Sequence, residues 1–384
     1  MLEKYTLKMP KVVYSGTDAL ENIGSILKGT YKKIAIFTDK GIIGAGLLEF
    51  PLAHILKTGI AYEIFDNLPV EPSCDEAQAV VDAFKAIDAD FIIAVGGGSV
   101  MDIAKLASVL KTDAYSVRDL LDNPGLAQKC IPTLMIPTTA GTGSEATPNS
   151  IVLVPEKSLK VGIVNEAMIA DFVILDAIMI KKLPRKIAAA TGLDALAHAI
   201  ECYTSKKANP FSNMFALEAL SLIFKNLEKA CDDPEALEAK NAMLIASFYG
   251  GVAITASGTT AVHALSYPLG GKYHIPHGVS NAMMLTPVMK FNEPACRTQF
   301  AEVYDRINND GATMSDEAKS AWIINRMDAM VKHLDIPTSL KEFKVPAEDL
   351  DFLVEAGMEV QRLLVNNMRE VTAEDARNLY LQIL

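Results

Sequence analysis

"ADFIIAVGGGSVMDIAKLASVLK", residues 89–111, decides the fold. Its first half is a short apolar run rich in β-branched and aromatic residues, and its second half carries apolar residues at helical spacing. Three consecutive glycines, Gly96 to Gly98, separate the two. A buried strand that turns tightly into a helix is the repeating unit of a parallel sheet with helices on its faces. The same alternation extends to both sides. "KKIAIFTD" (32–39), "AYEIFD" (61–66), "IPTLMIPTT" (131–139) and "ADFVILD" (170–176) all read as strands, with helical spacing settling in after "EPSCDEAQAVVDAFKAID" begins.

Beyond residue 176 the texture changes. From "LPRKIAAATGLDALAHAIE" onward the chain is almost all helical pattern, rich in Ala, Leu and Met and punctuated by glycine and proline. Pro184 suits a first helical turn. The expected organisation is an α/β domain at 1–182 followed by an all-α domain at 183–384. A chain of 384 residues is also too long for one ordinary core.

Composition narrows the function classes. Asp and Glu number 47 against 36 Lys and Arg, a net charge of -11, which argues against a nucleic-acid binder. A small anionic substrate needs only one local positive group. The five cysteines, Cys74, Cys130, Cys202, Cys231 and Cys296, are scattered and form no CxxC pair. They read as reduced thiols of a cytoplasmic protein. The amino terminus "MLEKYTLKMP" lacks an apolar core for secretion. The most apolar run is interrupted by Asp102 and Lys105, so no membrane span is expected.

Three strand ends carry candidate ligand-binding chemistry. Gly97, Gly98 and Ser99 open the helix after the 89–98 strand, where backbone N–H groups favour phosphate. The stretch is not a GxGxxG fingerprint, because the spacing fails at Met101, and a tight strand-to-helix turn accounts for it nearly as well. Asp39 ends another strand, where a carboxylate bonds ribose hydroxyls and repels a 2′-phosphate; an ordinary loop aspartate is the plainer reading. "PTTAGTGSEAT" (137–147) is the third. Together they suggest a crevice for a phosphate-bearing ligand.

The helical half carries candidate metal ligands. Asp194 and His198 lie four apart on an expected helix and share one face. His263 and His277 are separated by "YPLGGKYHIP", whose glycines and Pro276 allow the chain to fold back. One carboxylate and three imidazoles suit a borderline divalent metal, iron(II) or zinc, with a position open for substrate. His274, in the same stretch, reads as a hydrogen-bonding or exposed loop residue, and His54 and His333 belong to no constellation.

At this point the residues carry a resemblance. "GGGSVMDIAK", "PTTAGTGSE", "TGLDALAHAIE" and "AVHALSYPLGGKYHIPHGVSNA" resemble, in order, the signature regions of the iron-containing (group III) alcohol dehydrogenases. That family includes lactaldehyde reductase, 1,3-propanediol dehydrogenase and butanol dehydrogenase. The similarity runs on to "NNMREVTAEDARNLYLQIL". It implies a Rossmann-like nucleotide-binding domain, a helical metal-binding domain as in dehydroquinate synthase-like architectures, and a cleft between them. Carried over residue by residue, it implies Asp194, His198, His263 and His277 as ligands of Fe2+ or Zn2+. It assigns Gly97, Gly98 and Ser99 to the pyrophosphate of NAD, with Asp102 close by. Thr138 and Thr139 would line the cofactor groove, Thr147, Asn149 and Lys160 would approach the nicotinamide, and Asp39 goes with NAD preference. Homodimers are common in the family.

There are departures. Tyr267 stands four residues after His263, where many members carry a histidine discussed in proton transfer; the tyrosine, water or a ribose hydroxyl could take that role. Glu71 replaces a common asparagine and Met368 a proline. "ASGTTAVH" (256–263) is more polar than the pocket wall of many alkanol enzymes, pointing to an oxygenated or anionic aldehyde. The expected activity is hydride transfer between NAD(H) and a small primary alcohol or aldehyde. Two rivals are a metal- and NAD-dependent lyase or cyclase of the dehydroquinate synthase type and a non-catalytic nucleotide sensor. The helical half offers few basic residues near its metal motifs, which disfavours the lyase.

Overall fold

The computed structural model describes residues 4–69, 72–157, 159–308 and 313–384, so Glu71 lies outside the described residues. The chain forms two compact units, one of residues 8–183 and one of 184–384 together with 4–7. The placement of 4–7 differs from the sequence reading, which put every residue before 183 in the α/β domain. Tyr5 sets its ring edge-on to Phe211, with centroids 5.5 Å apart, and this contact ties the first described residues to the helices.

The strands are β1 (Val12–Ser15), β2 (Lys33–Phe37), β3 (Ala61–Phe65), β4 (Phe91–Gly96), β5 (Thr133–Pro137), β6 (Asn149–Val154), β7 (Leu159–Val164) and β8 (Phe172–Leu175). Six make one sheet in the order β1-β8-β5-β4-β2-β3, every neighbour parallel. The central strand β4, "FIIAVG", is buried at every position because both sheet faces are covered. Its Phe91, Ile93 and Val95 join Ile34, Ile36 and Leu134 in one core cluster. β6 and β7 form a separate antiparallel pair. Sequence reading found β2, β3, β4, β5 and β8 of the sheet but not β1, a four-residue half-exposed edge strand, nor the β6–β7 pair.

This topology fixes where the sheet's binding edge lies. Strand β2 has β3 on one side and β4 on the other, so the chain reverses its direction of travel between β2 and β4. All six strands are parallel, and the carboxyl ends of β2, β4 and β5 therefore lie side by side at the edge of that switch point.

The second unit is built around α3 (Arg185–Tyr203), with α1 (Lys40–Gly44) and α2 (Gly98–Val109) belonging to the sheet unit. From Leu193 to Tyr203 every residue of α3 is buried. It is therefore a central helix, not an amphipathic surface one. It packs against α4 (Pro210–Asp232), α5 (Leu237–Ala256) and α7 (His277–Asn308), while α6 (Ala261–Tyr273) lies between α5 and α7 in the chain. Gly278, in the first turn of α7, lies where that helix runs close against α3. A Cβ there would come within 2.3 Å of the Ala190 carbonyl oxygen. No larger residue allows that crossing without displacing one of the two helices. Helices α8 (Asp316–His333), α9 (Leu350–Glu359), α10 (Gln361–Leu364) and α11 (Ala373–Leu381) complete this unit.

Candidate functional site

Helices α3, α6 and α7 bring four side chains to one point. Asp194 and His198 come from one face of α3, His263 from the first turn of α6, and His277 from the first residue of α7. His274 ends α6 in the left-handed conformation, φ 56°, and is exposed, so it turns the chain and takes no part in the cluster. The four ligand atoms all lie within 4.8 Å of one another. Asp194 Oδ1 sits 3.9 Å from His198 Nε2, 3.6 Å from His263 Nε2 and 3.7 Å from His277 Nε2. The His198 and His263 rings stack at 4.5 Å.

Two residues that sequence reading did not assign hold this arrangement. Asn281, one turn after His277, directs its amide nitrogen at Asp194 Oδ1 (2.7 Å) and at the Nε2 atoms of His263 and His277 (3.1 Å each). One donor shared by three ligand atoms shows that these atoms converge as an acceptor set, the kind a cation also satisfies. Glu201 is fully buried on α3, and its Oε2 meets His263 Nδ1. Its Oε1 accepts from Thr260 N (3.0 Å), Thr260 Oγ1 (2.7 Å) and Val262 N (2.8 Å), so it also caps the start of α6, whose own cap residue provides no side-chain bond. With Glu201 on Nδ1, the Nε2 atom of His263 is left to face the cluster.

The charges are mutually dependent. Burial alone would raise the Asp194 carboxyl, but His198, His277 and His263 hold it well below the usual carboxylate range. Burial would lower His263, yet Glu201 and Asp194 push it up to about 10. A negative pocket of one carboxylate and three imidazoles, backed by a second buried carboxylate, fits a divalent cation.

In the sheet unit, Gly97, Gly98, Thr138 and Asp39 lie at the carboxyl ends of β4, β5 and β2. Gly97 and Gly98 lie at the end of β4, and α2 starts there without a side-chain cap. Gly98 approaches Thr142, and a Cβ on it would lie 3.0 Å from that side chain. Thr138 follows β5 and is buried, its N–H bonded to the Gly96 carbonyl at 3.0 Å. Asp39 follows β2, and its Oδ1 accepts from Ile42 N at 2.9 Å, capping α1. Beside it, the buried Thr38 Oγ1 has no hydrogen-bond partner among the described residues. An orphaned hydroxyl at the strand end where a dinucleotide's ribose would lie fits a bound nucleotide.

Asp102 proves to be committed to the protein itself. Its carboxylate accepts from Ser144 Oγ (2.6 Å) and Ile151 N (2.9 Å) and neighbours Lys105 Nζ at 3.4 Å. Lys105, read from sequence only as a charge interrupting an apolar run, is completely buried and bonds Ser144 Oγ, Thr147 Oγ1 and the Asn149 carbonyl. Together they clamp the 144–151 segment to α2. Lys160 and Asn149 occupy the two strands of the β6–β7 pair, with Lys160 opposite Leu153.

Residues 10–177 match the iron-containing alcohol dehydrogenase pattern, and 188–384 match the C-terminal pattern of the Fe-containing alcohol dehydrogenase family. The chain belongs to the iron-containing alcohol dehydrogenase family. A long-chain-alcohol dehydrogenase of Geobacillus thermodenitrificans is 32% identical over 97% of this chain and 94% of its own. The crystal structure of a 1,3-propanediol oxidoreductase superposes with a TM-score of 0.94 at 28% identity, covering 100% of both chains. That of sulfoacetaldehyde reductase from Bifidobacterium kashiwanohense, solved with NAD+, gives 0.87 at 27% identity over 100% of this chain and 99% of its own. The protein is thus an oxidoreductase of alcohols and aldehydes. None of these relatives is a lyase or cyclase.

Within this dehydrogenase, Tyr267 lies beside the cluster. It is buried, and its ring centre is 6.1 Å from that of His277. Its hydroxyl accepts from Arg362 Nη2 at 3.3 Å. Arg362 comes from α10, 95 residues further along, and no spacing in the sequence connects the two. Two polar side chains of 256–263 are used internally. Ser257 bonds the Cys202 and Ala253 carbonyls, and Thr260 serves Glu201.

Proposed function

We propose that this protein is a metal-dependent, NAD(H)-linked alcohol dehydrogenase or aldehyde reductase acting on a small primary alcohol or aldehyde. The observation that carries the reading is the convergence of Asp194, His198, His263 and His277, oriented by Glu201 and Asn281. These four residues would hold Fe2+, or alternatively Zn2+, which supplies Lewis acidity toward the substrate oxygen. NAD supplies the hydride couple, and the protein supplies position and charge.

The residues then divide the work. Glu201 fixes the ring of His263, while Asn281 spaces Asp194 from His263 and His277. Burial of Asp194, His198 and His263 keeps water from three sides of the reacting centre. Tyr267 accepts its bond from a guanidinium that can only donate, so its own hydroxyl hydrogen remains available for transfer. Gly97, Gly98 and Ser99 would receive the pyrophosphate at the start of α2, with Thr138 and Thr139 lining the groove. Asp39 and Thr38 would meet the ribose, and the segment held by Asp102 and Lys105 would present Thr147 and Asn149 to the nicotinamide end, with Lys160 on the paired strand β7.

We also propose a cytoplasmic homodimer. Support for the location comes from five cysteines that form no disulfide and from the lack, among the described residues, of any single helix long and apolar enough to cross a membrane. The dimer rests on its frequency in the family.

The test is nicotinamide absorbance with NADH and iron-loaded, oxygen-free protein against lactaldehyde, 3-hydroxypropionaldehyde, butanal and succinic semialdehyde. NADH oxidation by one of them, lost on chelation, is expected. His263→Ala is expected to abolish turnover and spare NADH binding. No oxidation across the panel, with metal and NADH demonstrably bound, would refute the reading.

A further inference from the structure

We infer that Arg362 receives an anionic group at the far end of the substrate, so that the preferred aldehyde is a short one bearing a carboxylate or sulfonate. The inference rests on the proposed reductase reading and names its substrate class. It begins with the direction in which the cluster opens. Side-chain exposure is 2% for Asp194, 3% for His263 and 7% for His198, but 31% for His277. A substrate therefore approaches past His277.

Tyr267 and Arg362 lie on that side. The Tyr267 ring centre is 6.1 Å from that of His277, and Arg362 Cζ lies 5.8 Å from the Tyr267 ring centre. These two steps set an upper limit on the gap between His277 and the guanidinium, a gap that a short aldehyde spans together with its contacts to the cluster at one end and to Arg362 at the other.

Arg362 is also unusual among the arginines of this chain. Arg118, Arg185, Arg297, Arg306, Arg326 and Arg377 each hold a carboxylate. Arg369 lies over the Phe291 ring. Arg362 is exposed, and among the described residues its side chain bonds only the Tyr267 hydroxyl. One of its five N–H donors is used there, and the fork is left to pair with an oxyanion. In a chain of net charge -11, an uncompensated guanidinium beside a reactive centre is the one local cation an anionic substrate needs.

The experiment compares kcat/KM of the metal-loaded enzyme for succinic semialdehyde and sulfoacetaldehyde with that for butanal and propanal. Wild type, Arg362→Met and Arg362→Lys are run in parallel, with circular dichroism to confirm folding. Wild type is expected to favour the anionic member of a pair. In Arg362→Met the anionic-to-neutral ratio is expected to fall about 10- to 100-fold, the worth of one hydrogen bond to a charged group. Arg362→Lys is expected to restore part of it. Whichever anionic aldehyde shows the larger fall identifies carboxylate or sulfonate as the group received.

Calorimetry with 4-hydroxybutyrate and 2-hydroxyethanesulfonate gives a further readout, with binding expected in wild type and lost in Arg362→Met. An unchanged ratio in Arg362→Met, or a wild-type preference for the neutral aldehydes, overturns the inference while leaving the reductase reading intact. Failure of wild type on every aldehyde overturns both.

Discussion

Replacing Glu201 by glutamine separates the electrostatic role of this buried carboxylate from its shape. The amide keeps one oxygen, which can still accept from Thr260 N, Thr260 Oγ1 and Val262 N. Turning the other way would leave those donors facing an NH2 group, at about 1–3 kcal/mol for each buried unsatisfied group, so that orientation is disfavoured. The NH2 group must then face His263 Nδ1, which becomes the acceptor. The ring proton moves to Nε2, the atom that faces Asp194 at 3.6 Å, and that atom can no longer act as a ligand.

Bonds to a charged acceptor are roughly twice as strong as neutral ones, but a buried charge is also removed. The net loss of fold stability is therefore expected to stay near about 1–2 kcal/mol. Metal affinity is expected to drop about 10- to 100-fold, or about 1.4–2.8 kcal/mol. Anaerobic Fe2+ or Zn2+ titration against a competing chelator, beside a thermal melt, reads both quantities. A folded Glu201→Gln protein that binds metal with wild-type affinity would refute the assignment.

Two further substitutions test the sheet unit. Asp39→Gly is expected to relax cofactor preference toward NADPH, read as the ratio of kcat/KM for the two cofactors; glycine is itself an acceptable helix cap, so the loss of the Ile42 bond should cost only a few tenths of a kcal/mol, about the worth of that cap exchange. An unchanged ratio would remove Asp39 from the ribose site. Glu145 is buried, and burial pushes its carboxyl from 4.5 up to about 7. The folded state thus retains a proton that the unfolded chain gives up above 4.5, so this stability is fully present below pH 4.5 and lost as pH rises through 7. Glu145→Gln is expected to raise the melting temperature at pH 8, by up to about 3 kcal/mol of stability, and to give no advantage at pH 4.5. Equal melting of the two proteins at pH 8 would contradict it.

How much of this was legible in the sequence depends on the range of the interaction. Strand β4 and helix α2 announce themselves because burial on both faces leaves an unbroken apolar run and the glycines mark the turn. Asp194 and His198 show in a four-residue spacing. His263 and His277 show because a short reversal joins their helices. Glu201 was within a quoted motif, but its part became visible only when α3 and α6 were packed together, 62 residues apart in the chain. Arg362 and Lys105 carried no local signal. Arg362 is brought in from α10, while Lys105 reads in sequence as a charge that ought to be exposed and is instead wholly buried. Asp102, a motif position that the resemblance sets close to the pyrophosphate, is itself occupied in bracing a loop.

All four metal-ligand candidates belong to the same compact unit, within the span 194–277. A bound ion would therefore act as a cross-link between three helices of that unit and close the long chain segments between them. Its binding energy adds to the stability of the helices alone, and the gain grows with metal concentration. Among the described residues the sheet unit contributes none of these four ligands and draws none of that support. The two halves of one polypeptide would then age differently under metal limitation. The helical half would loosen first, while the sheet half kept its fold.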